Sequence, residues 1–550
     1  MGNLKIKLLA LLVSAAVLGS CKKDVLDIKP TDFVSDAAVF GDITLTSQFV
    51  TNIYGSMQSG FDRRDQGIGG NFDWSLGMGM LAMATDEAEG PTATTMNSVN
   101  NGDLNTEFIY GAEMWLFNFQ AIRKCNLLLS KIDEVPGDAA LKNRLKAEGK
   151  FLRAFCYGDL IKAFGGVPLI LNVQNITDDL LVKRNTYKEC LDQIIKDCDE
   201  AAAVLPNTTP ELGRATKGAA LALKARMLLY YASPLNNTSN EVTRWATAAA
   251  ASKVVMDLNI YSLYSNYYRL FLDKAGNNEV IFTNNYERPG RTHQTTYKLA
   301  MSVAPNPGGA WGGFSPTQNL VDAYEMNNGK PITDPTSGYN PQAPYANRDS
   351  RLDQSIIRNG SSWKGQIVQT WDGGNAAEPG NGDRTKTGYG LKKLMDDKYT
   401  TADQVYQGGD NNWIYIRYAE VLLNYAEAQN EAVGPDASVY AAINQVRQRA
   451  GQPALSGLSA TEMRDRIRNE RRVELSFEEH RFWDVRRWKV GTTFFSGPIR
   501  KMQITNNGGS FNYNLQVLEN RVYKEDFNLL PIPQIERNRN PNLTQNPGYN

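Results

Sequence analysis

The sequence predicts a mainly α-helical fold, a scaffold of packed helix pairs decorated by long irregular loops. Apolar residues recur at helical spacing in three separated blocks, and Gly or Pro closes each block sharply. Between the blocks run long segments rich in Gly, Pro, Asn and aromatic residues, which in a compact protein are usually functional or disordered.

The chain opens with a secretory layout. Lys5 and Lys7 form a short positive region, Leu8 to Leu18 is apolar, and small residues precede Cys21. That apolar run is too short to cross a bilayer, which needs about 20 residues. A cysteine directly after the small residues is similar to a bacterial lipobox, in which the thiol is acylated and becomes the new N-terminus. Residues 1–20 are therefore read as a signal peptide and 21–40 as a lipid anchor and tether. Membrane contact is expected through the anchor alone, since no later apolar stretch is long enough to span; Leu160 to Leu171 is broken by Lys162, Gly165, Gly166 and Pro168. An ordinary signal peptide with a chance cysteine is the alternative.

The first helical block covers residues 139–164, with Leu141, Leu145, Leu152 and Phe155 on one stripe and a stop at Gly165-Gly166 before Pro168. The second runs over 214–232, small residues on one side, Leu221, Met227 and Leu228 on another, closed by Ser233-Pro234. In the third, Ile414 to Glu431, a stripe of Ile414, Tyr418, Val421, Leu422 and Tyr425 faces Ala419, Ala426 and Ala428; a further helix is expected over 437–450. Alanines and large aromatics at this spacing suit tetratricopeptide-type helix pairs, each burying its face on the next, although no strict 34-residue period survives. Long loops are expected from Met301 to Gln318 and from Thr333 to Arg384. Length alone suggests about three or four domains. The absence of a clean linker argues instead for one compact body made of an N-terminal region, 41–235, and a C-terminal region, 236–550.

Charge and cysteine content exclude several classes. Losing residues 1–20 removes two lysines and no acid, so 59 basic residues become 57 against 59 acidic, a balance near −2. This is no nucleic-acid footprint. Cys125, Cys156, Cys190 and Cys198 form no C-x-x-C, and the only histidines are His293 and His480, so a Cys/His zinc site is not expected. Buried free thiols are the preferred reading, with a disulfide left open.

Catalytic signatures are scarce: H-E-x-x-H, G-x-S-x-G and the Walker A loop are absent. Gly77-x-Gly79-x-x-Ala82 matches a dinucleotide fingerprint but lacks a strand ahead of it. His480 lies among paired charges and reads as structural, as does the whole stretch 468–489 with its acids and arginines three or four apart. Asp86 and Glu87 could serve a glycosidase, though adjacent acids are commonplace. Neither an enzyme nor a cofactor nor a metal site is expected. The loops are richer in another chemistry. Trp74 follows Asp73, Trp311 lies between glycine pairs, and Trp363 and Trp371 share a loop with Asp372 and Asn375. Aromatic faces stack on the C–H faces of sugars while amides and carboxylates pair with hydroxyls, so a glycan ligand fits; the alternative is that loop tryptophans pin the loops to the scaffold.

Several ordered motifs resemble the SusD/RagB family of outer-membrane nutrient-binding lipoproteins of Bacteroidetes. They are Leu26-Asp-Ile-Lys-Pro30, Phe151-Leu-Arg153-Ala-Phe155 to Pro168-Leu169, Ala219 to Pro234 with Lys224-Ala-Arg226, and Asn278-Glu279-Val-Ile-Phe282. Further along stand Pro316-Thr-Gln318 to Tyr324, Ile416-Arg417-Tyr418-Ala-Glu420 to Ala428, Asn469-Glu-Arg-Arg472, Leu530-Pro-Ile-Pro533, and Asn540-Pro-Asn542 with Gln545-Asn-Pro-Gly-Tyr549. The resemblance implies a SusD-like α-helical fold with four tetratricopeptide-like helix pairs and a binding face of long loops. It also implies a non-enzymatic lid, anchored at the outer membrane and facing the exterior, over a SusC-like TonB-dependent transporter. Starch-binding members hold sugar on an aromatic arc, and the matching regions here lie around Trp74 and between Tyr297 and Trp311. Asp73, Trp74, Tyr297, Trp311 and Trp371 are accordingly the expected ligand-binding residues, with Cys21 lipidated. Lys23-Asp24 only partly resembles the signal that sends such lipoproteins outward. The same kind of lid for a peptide or another nutrient, and a surface glycosidase, are the alternatives.

Overall fold

In a computed structural model, residues 35–61, 80–90, 96–209, 211–293, 299–301, 303, 312–376, 385–399 and 407–549 are described. Cys21 and the signal peptide lie outside them. Ten longer helices carry the architecture: α1 (Ile43–Ser56), α2 (Ile109–Lys131), α3 (Ala139–Phe164), α4 (Tyr187–Ala202), α5 (Lys217–Ala232), α6 (Val242–Met256), α7 (Tyr418–Val433), α8 (Ala437–Arg449), α9 (Ala460–Glu474) and α10 (His480–Arg487). Local chemistry sets their ends. Thr186 with Glu189 and Ser459 with Glu462 form capping boxes at α4 and α9, Asp138 accepts from Leu141 N at the start of α3, and Gly165 (φ 73°) and Gly434 (φ 94°) close α3 and α7.

Read in chain order, α2 to α9 make four helix pairs: α2–α3, α4–α5, α6–α7 and α8–α9. The second helix of each pair also packs on the first of the next, so the row is continuous. The last pair is loose, because α8 and α9 both lie mainly on α7. Close approach is made by small residues: a Cβ on Gly149 would come within 2.7 Å of Leu128 on α2, and Ala219, Ala220 and Ala222 of α5 are buried. The third pair is assembled across residues 257–417, which leave the row after α6 and return at α7.

That excursion is tied back by a two-stranded antiparallel sheet, β1 (Val280–Asn284) on β2 (Trp413–Arg417). Here the structure corrects the sequence reading. Ile414 belongs to a strand, and the helix begins only at Tyr418. The run Trp-Ile-Tyr-Ile-Arg alternates aromatic and β-branched residues, which suits a strand, and pairing with β1 decides it. Phe282 of β1 stacks within 4.9–5.7 Å of Phe151, Phe155 and Tyr415, so the sheet and α3 share one core. A second antiparallel ribbon, β3 (Gly497–Asn507) with β4 (Ser510–Arg521), turns at Gly508-Gly509, both at positive φ. Cys125, Cys156, Cys190 and Cys198 are buried free thiols; burial pushes Cys125 up to about 12.

Buried arginines staple the pieces. Arg153 of α3 meets Asp197 of α4 through two bonds of 2.8 Å, and Arg226 of α5 meets Glu420 of α7 at 2.6 and 2.7 Å. Arg417, at the junction of β2 and α7, is the centre. Its guanidinium bonds Glu478 through both carboxylate oxygens (2.7 Å each), Glu279 and Glu474 (2.6 Å each) and the Glu474 carbonyl (2.8 Å), all within the interior. Arg351 adds a second cation on Glu474 and reaches Glu470, which Arg447 also holds. The 468–489 block is thus a structural network, as its charge spacing suggests.

Arg417→Met should lower stability by about 3–5 kcal/mol in urea titration, because three buried carboxylates lose the cation they share and keep only Arg351, Arg449 or Lys393. Loss of less than about 1 kcal/mol would show that the network carries little weight.

Candidate functional site

Asp73, Trp74, Tyr297 and Trp311 lie outside the described residues, but the described residues that flank them are fixed. Phe61, just before 62–79, stacks on His293, just before 294–298, with centroids 4.1 Å apart and planes at 19°. The His293 and Gly409 backbones exchange two hydrogen bonds (3.0 and 2.7 Å), placing the described chain that follows 400–406 there too. Tyr286 and Trp413 wall this cluster at 6.1 and 5.1 Å from Phe61. Gly60 is required by the same crowding, since a Cβ there would overlap the Trp413 ring.

The other ends gather on the turn between α9 and α10. Leu81 N donates to Glu479 Oε1 at 3.3 Å, and Phe314, just past Trp311, packs edge-on to Phe477 at 5.2 Å. Ala300 and Gly312 are joined by a 2.9 Å backbone bond, so the stretch between them leaves and returns at one point. Phe477 (φ 63°) and Glu479 (φ 69°) both occupy the left-handed region, which non-glycine residues seldom enter. Between them Glu478 is clamped by Arg417 and by Lys393 (2.7 Å), and that clamp holds the strained turn. A small cleft of about 70 Å³ lies between the two groups of loop ends, with Gly60 and Trp413 on one side and Glu479 and His480 on the other. Burial pushes His480 down to about 4 even though Glu420 stands 4.0 Å away, so the ring is neutral.

Beneath this floor lie Asp86 and Glu87. Both are buried. Asp86 accepts two bonds of 2.9 Å from Arg481 and pairs with Arg472 at 2.8 Å. Burial alone would raise its carboxyl, but Arg472 and Arg481 outweigh burial and hold it below the usual range. Glu87, in contrast, has one carboxylate oxygen without a partner, and burial followed by the Asp86 charge pushes it up to about 8. The acid pair that the sequence offers to a glycosidase is therefore sealed under the floor. Among the described residues, no group of three or more His, Cys, Asp or Glu could hold a metal ion.

Trp371 is described, and it stands on another support. Its ring is half-buried against Phe511 of β4 (5.1 Å), and the next amide, Asp372 N, donates to Ile504 O of β3 at 3.0 Å. Asp372 accepts from Gln503 and Asn375 caps its own loop, so both neighbouring polar residues are engaged locally. Trp363 is buried and pins its loop. Sequence reasoning missed the floor itself, because Phe61, His293, Gly409 and Glu479 meet only through long-range contacts.

A model of the SusD family matches residues 278–549, and a model described as starch-binding associating with the outer membrane matches residues 74–229. The chain belongs to the SusD family. A SusD-like protein of Formosa agariphila is 25% identical over 521 residues, which is 89% of this chain and 92% of that protein. A SusD-like protein of Bacteroides fragilis has a solved structure that is 28% identical, with a TM-score of 0.79, covering 95% of this chain and all of that one. A SusD-like carbohydrate-binding protein of the same species is 26% identical, with a TM-score of 0.78 over 92% of this chain and 99% of that one. The mainly α-helical SusD-like fold expected from the sequence is the observed one. Among the described residues of this SusD-family chain, no helix is long and apolar enough to cross a membrane.

The Glu87 carboxyl should set a pH dependence. The unfolded chain loses this proton near 4.5 and the folded one near 8. Between those values the folded state holds the extra proton, so its contribution to stability falls as pH rises. Glu87→Gln should gain on the parent by roughly 2–4 kcal/mol between pH 5 and pH 8, measured by urea midpoints; a pH-independent difference would remove Glu87 as the source.

Proposed function

We propose that this SusD-family chain captures oligosaccharide or polysaccharide at the outer membrane and delivers it, as a lid, to a SusC-like TonB-dependent transporter. The observation that carries the reading is the shared floor. The segments holding Trp74, Tyr297 and Trp311 begin and end on one rigid aromatic and ionic base, formed by Phe61, His293 and Trp413 with the 475–479 turn. The similarity to a SusD-like carbohydrate-binding protein along nearly the whole chain supports the ligand class. The starch-binding, outer-membrane description of the N-terminal family match supports the place.

In this reading Trp74, Tyr297 and Trp311 stack on sugar rings and Asp73 accepts from hydroxyls at the floor, a division of labour that sugars require, while Trp371 meets sugar separately, on its hairpin. Cys21 carries the lipid. Two or three acyl chains, at about 0.8 kcal/mol per buried CH₂, suffice for stable anchoring. The tether then lets the lid swing without leaving its transporter.

Isothermal titration against starch, xylan, mannan, β-glucan and pectin tests the ligand class. Binding to at least one is expected, and Trp74→Ala with Trp311→Ala should weaken it by about tenfold or more. Binding to peptides and to no glycan would overturn the sugar assignment. Cys21→Ala should release a folded, ligand-competent protein that no longer supports uptake, assayed by growth on the bound glycan.

A further inference from the structure

Side chains alternate along a strand, so Phe511, Tyr513, Leu515 and Val517 share one face of β4. Across the ladder Tyr513 faces Ile504 and Leu515 faces Met502. Ile504 and Met502 are buried, whereas Phe511 and Tyr513 are half-buried and Leu515 and Val517 are 49% and 56% exposed. Two loops bring further rings to this face. Trp371 lies 5.1 Å from Phe511, and Tyr345 lies 5.6 Å from Tyr513, with 6.5 Å between Phe511 and Tyr513. The result is a row of three partly open rings in contact with one another, backed by Tyr345, whose ring carries the Arg358 guanidinium at 4.8 Å.

The row is rigidly held. Asp372 N donates to Ile504 O (3.0 Å) and Met502 N to Thr387 O (2.9 Å), fixing β3 to the body. The Gln342 side chain acts like an extra strand, its amide nitrogen and oxygen both bonding the Tyr513 backbone at 3.2 Å. Polar tips are left available. No described residue hydrogen-bonds the Trp371 indole N–H or the Tyr513 hydroxyl, and neither is a buried orphan, whereas the Tyr345 hydroxyl donates to Tyr389.

We propose that Trp371, Phe511 and Tyr513, backed by Tyr345, form a second saccharide-binding surface, separate from the candidate site at the aromatic floor. Partly open, pre-ordered rings with unpaired N–H and O–H groups offer stacking to the C–H faces of a sugar and partners to its hydroxyls. A protein partner is less well matched, because its dominant contacts need enclosed, fully desolvated pockets. The proposal rests on the glycan reading, and it assigns the hairpin to longer chains that reach past the first site. Linking two sites on one chain raises avidity without new contacts.

The test is retardation of the protein in native gels containing each polysaccharide, beside titration with the matching short oligosaccharide. Trp371→Ala with Tyr513→Ala should lose about tenfold in retention while oligosaccharide affinity stays at the parental value. Trp371→Phe with Tyr513→Phe, which keeps the ring packing and the melting temperature, should fall between the two. Retention unchanged in both variants, with parental binding intact, overturns the second site alone. Retention by no polysaccharide in the parental protein overturns the glycan reading, and the second site with it.

Discussion

Arg417 is the group on which the rest of the structure leans. A buried guanidinium and its carboxylates are stable only where geometry is good and every remaining polar atom is satisfied, since desolvation alone costs several kcal/mol per ion. Arg417 meets that condition with five bonds to Glu279, Glu474 and Glu478. Each partner belongs to a different part of the chain: Glu279 precedes β1, Glu474 ends α9, and Glu478 sits in the strained turn that receives the loop ends. One side chain therefore fixes the return of the long excursion, the close of the helix row and the base of the candidate site. Lys393 and Arg351 extend the same network into the segment between β1 and β2.

The chain shares its fold over nearly its whole length with a protein that has only about a quarter of its residues in common. The ordered motifs that mark the family contain Arg153, Arg226, Glu279, Arg417, Glu420, Glu427, Glu470 and Arg471. All of these are buried or largely buried members of ion pairs or ion-paired networks, and Arg487 ties Glu427 to Asp484 in the same way. Aliphatic core residues can exchange among themselves at modest cost when volume is kept. A bidentate arginine cannot, because its fork matches one carboxylate geometry.

The sequence was legible where a single local rule decided the outcome. Residues 139–164 showed helical stripes and a Gly-Gly stop, and α3 has those bounds. The α2 and α6 helices were harder. Much of α2 is enclosed by neighbouring elements, and α6 is an alanine-rich run, so neither shows a clear apolar stripe. Ile414 was drawn into a helix because its strand character depends on β1, more than a hundred residues away. The hairpin had a local signal, Asn507-Gly508 followed by Phe511, Tyr513, Leu515 and Val517 in alternation, and Trp371 gains its setting only from that hairpin. Of the five expected ligand residues, Trp371 alone falls among the described ones. The meeting of Phe61 with His293, or of Leu81 with Glu479, has no local sequence signature at all.

The two supports differ in a way that bears on binding a flexible chain such as a glycan. Ordering loops on a ligand costs conformational entropy, and only the surplus appears as affinity. Segments that begin and end on one fixed floor limit that cost, because their ends are closed before the ligand arrives. The hairpin rings carry almost none of it, being held by backbone bonds at β3 and by Gln342 at β4. In the proposed reading, Trp74, Tyr297 and Trp311 supply selectivity for one sugar, while the hairpin supplies retention by presenting ready-made faces. The floor depends on Arg417 and the hairpin on the β3 contacts, so the two supports are held by different bonds and can be altered separately.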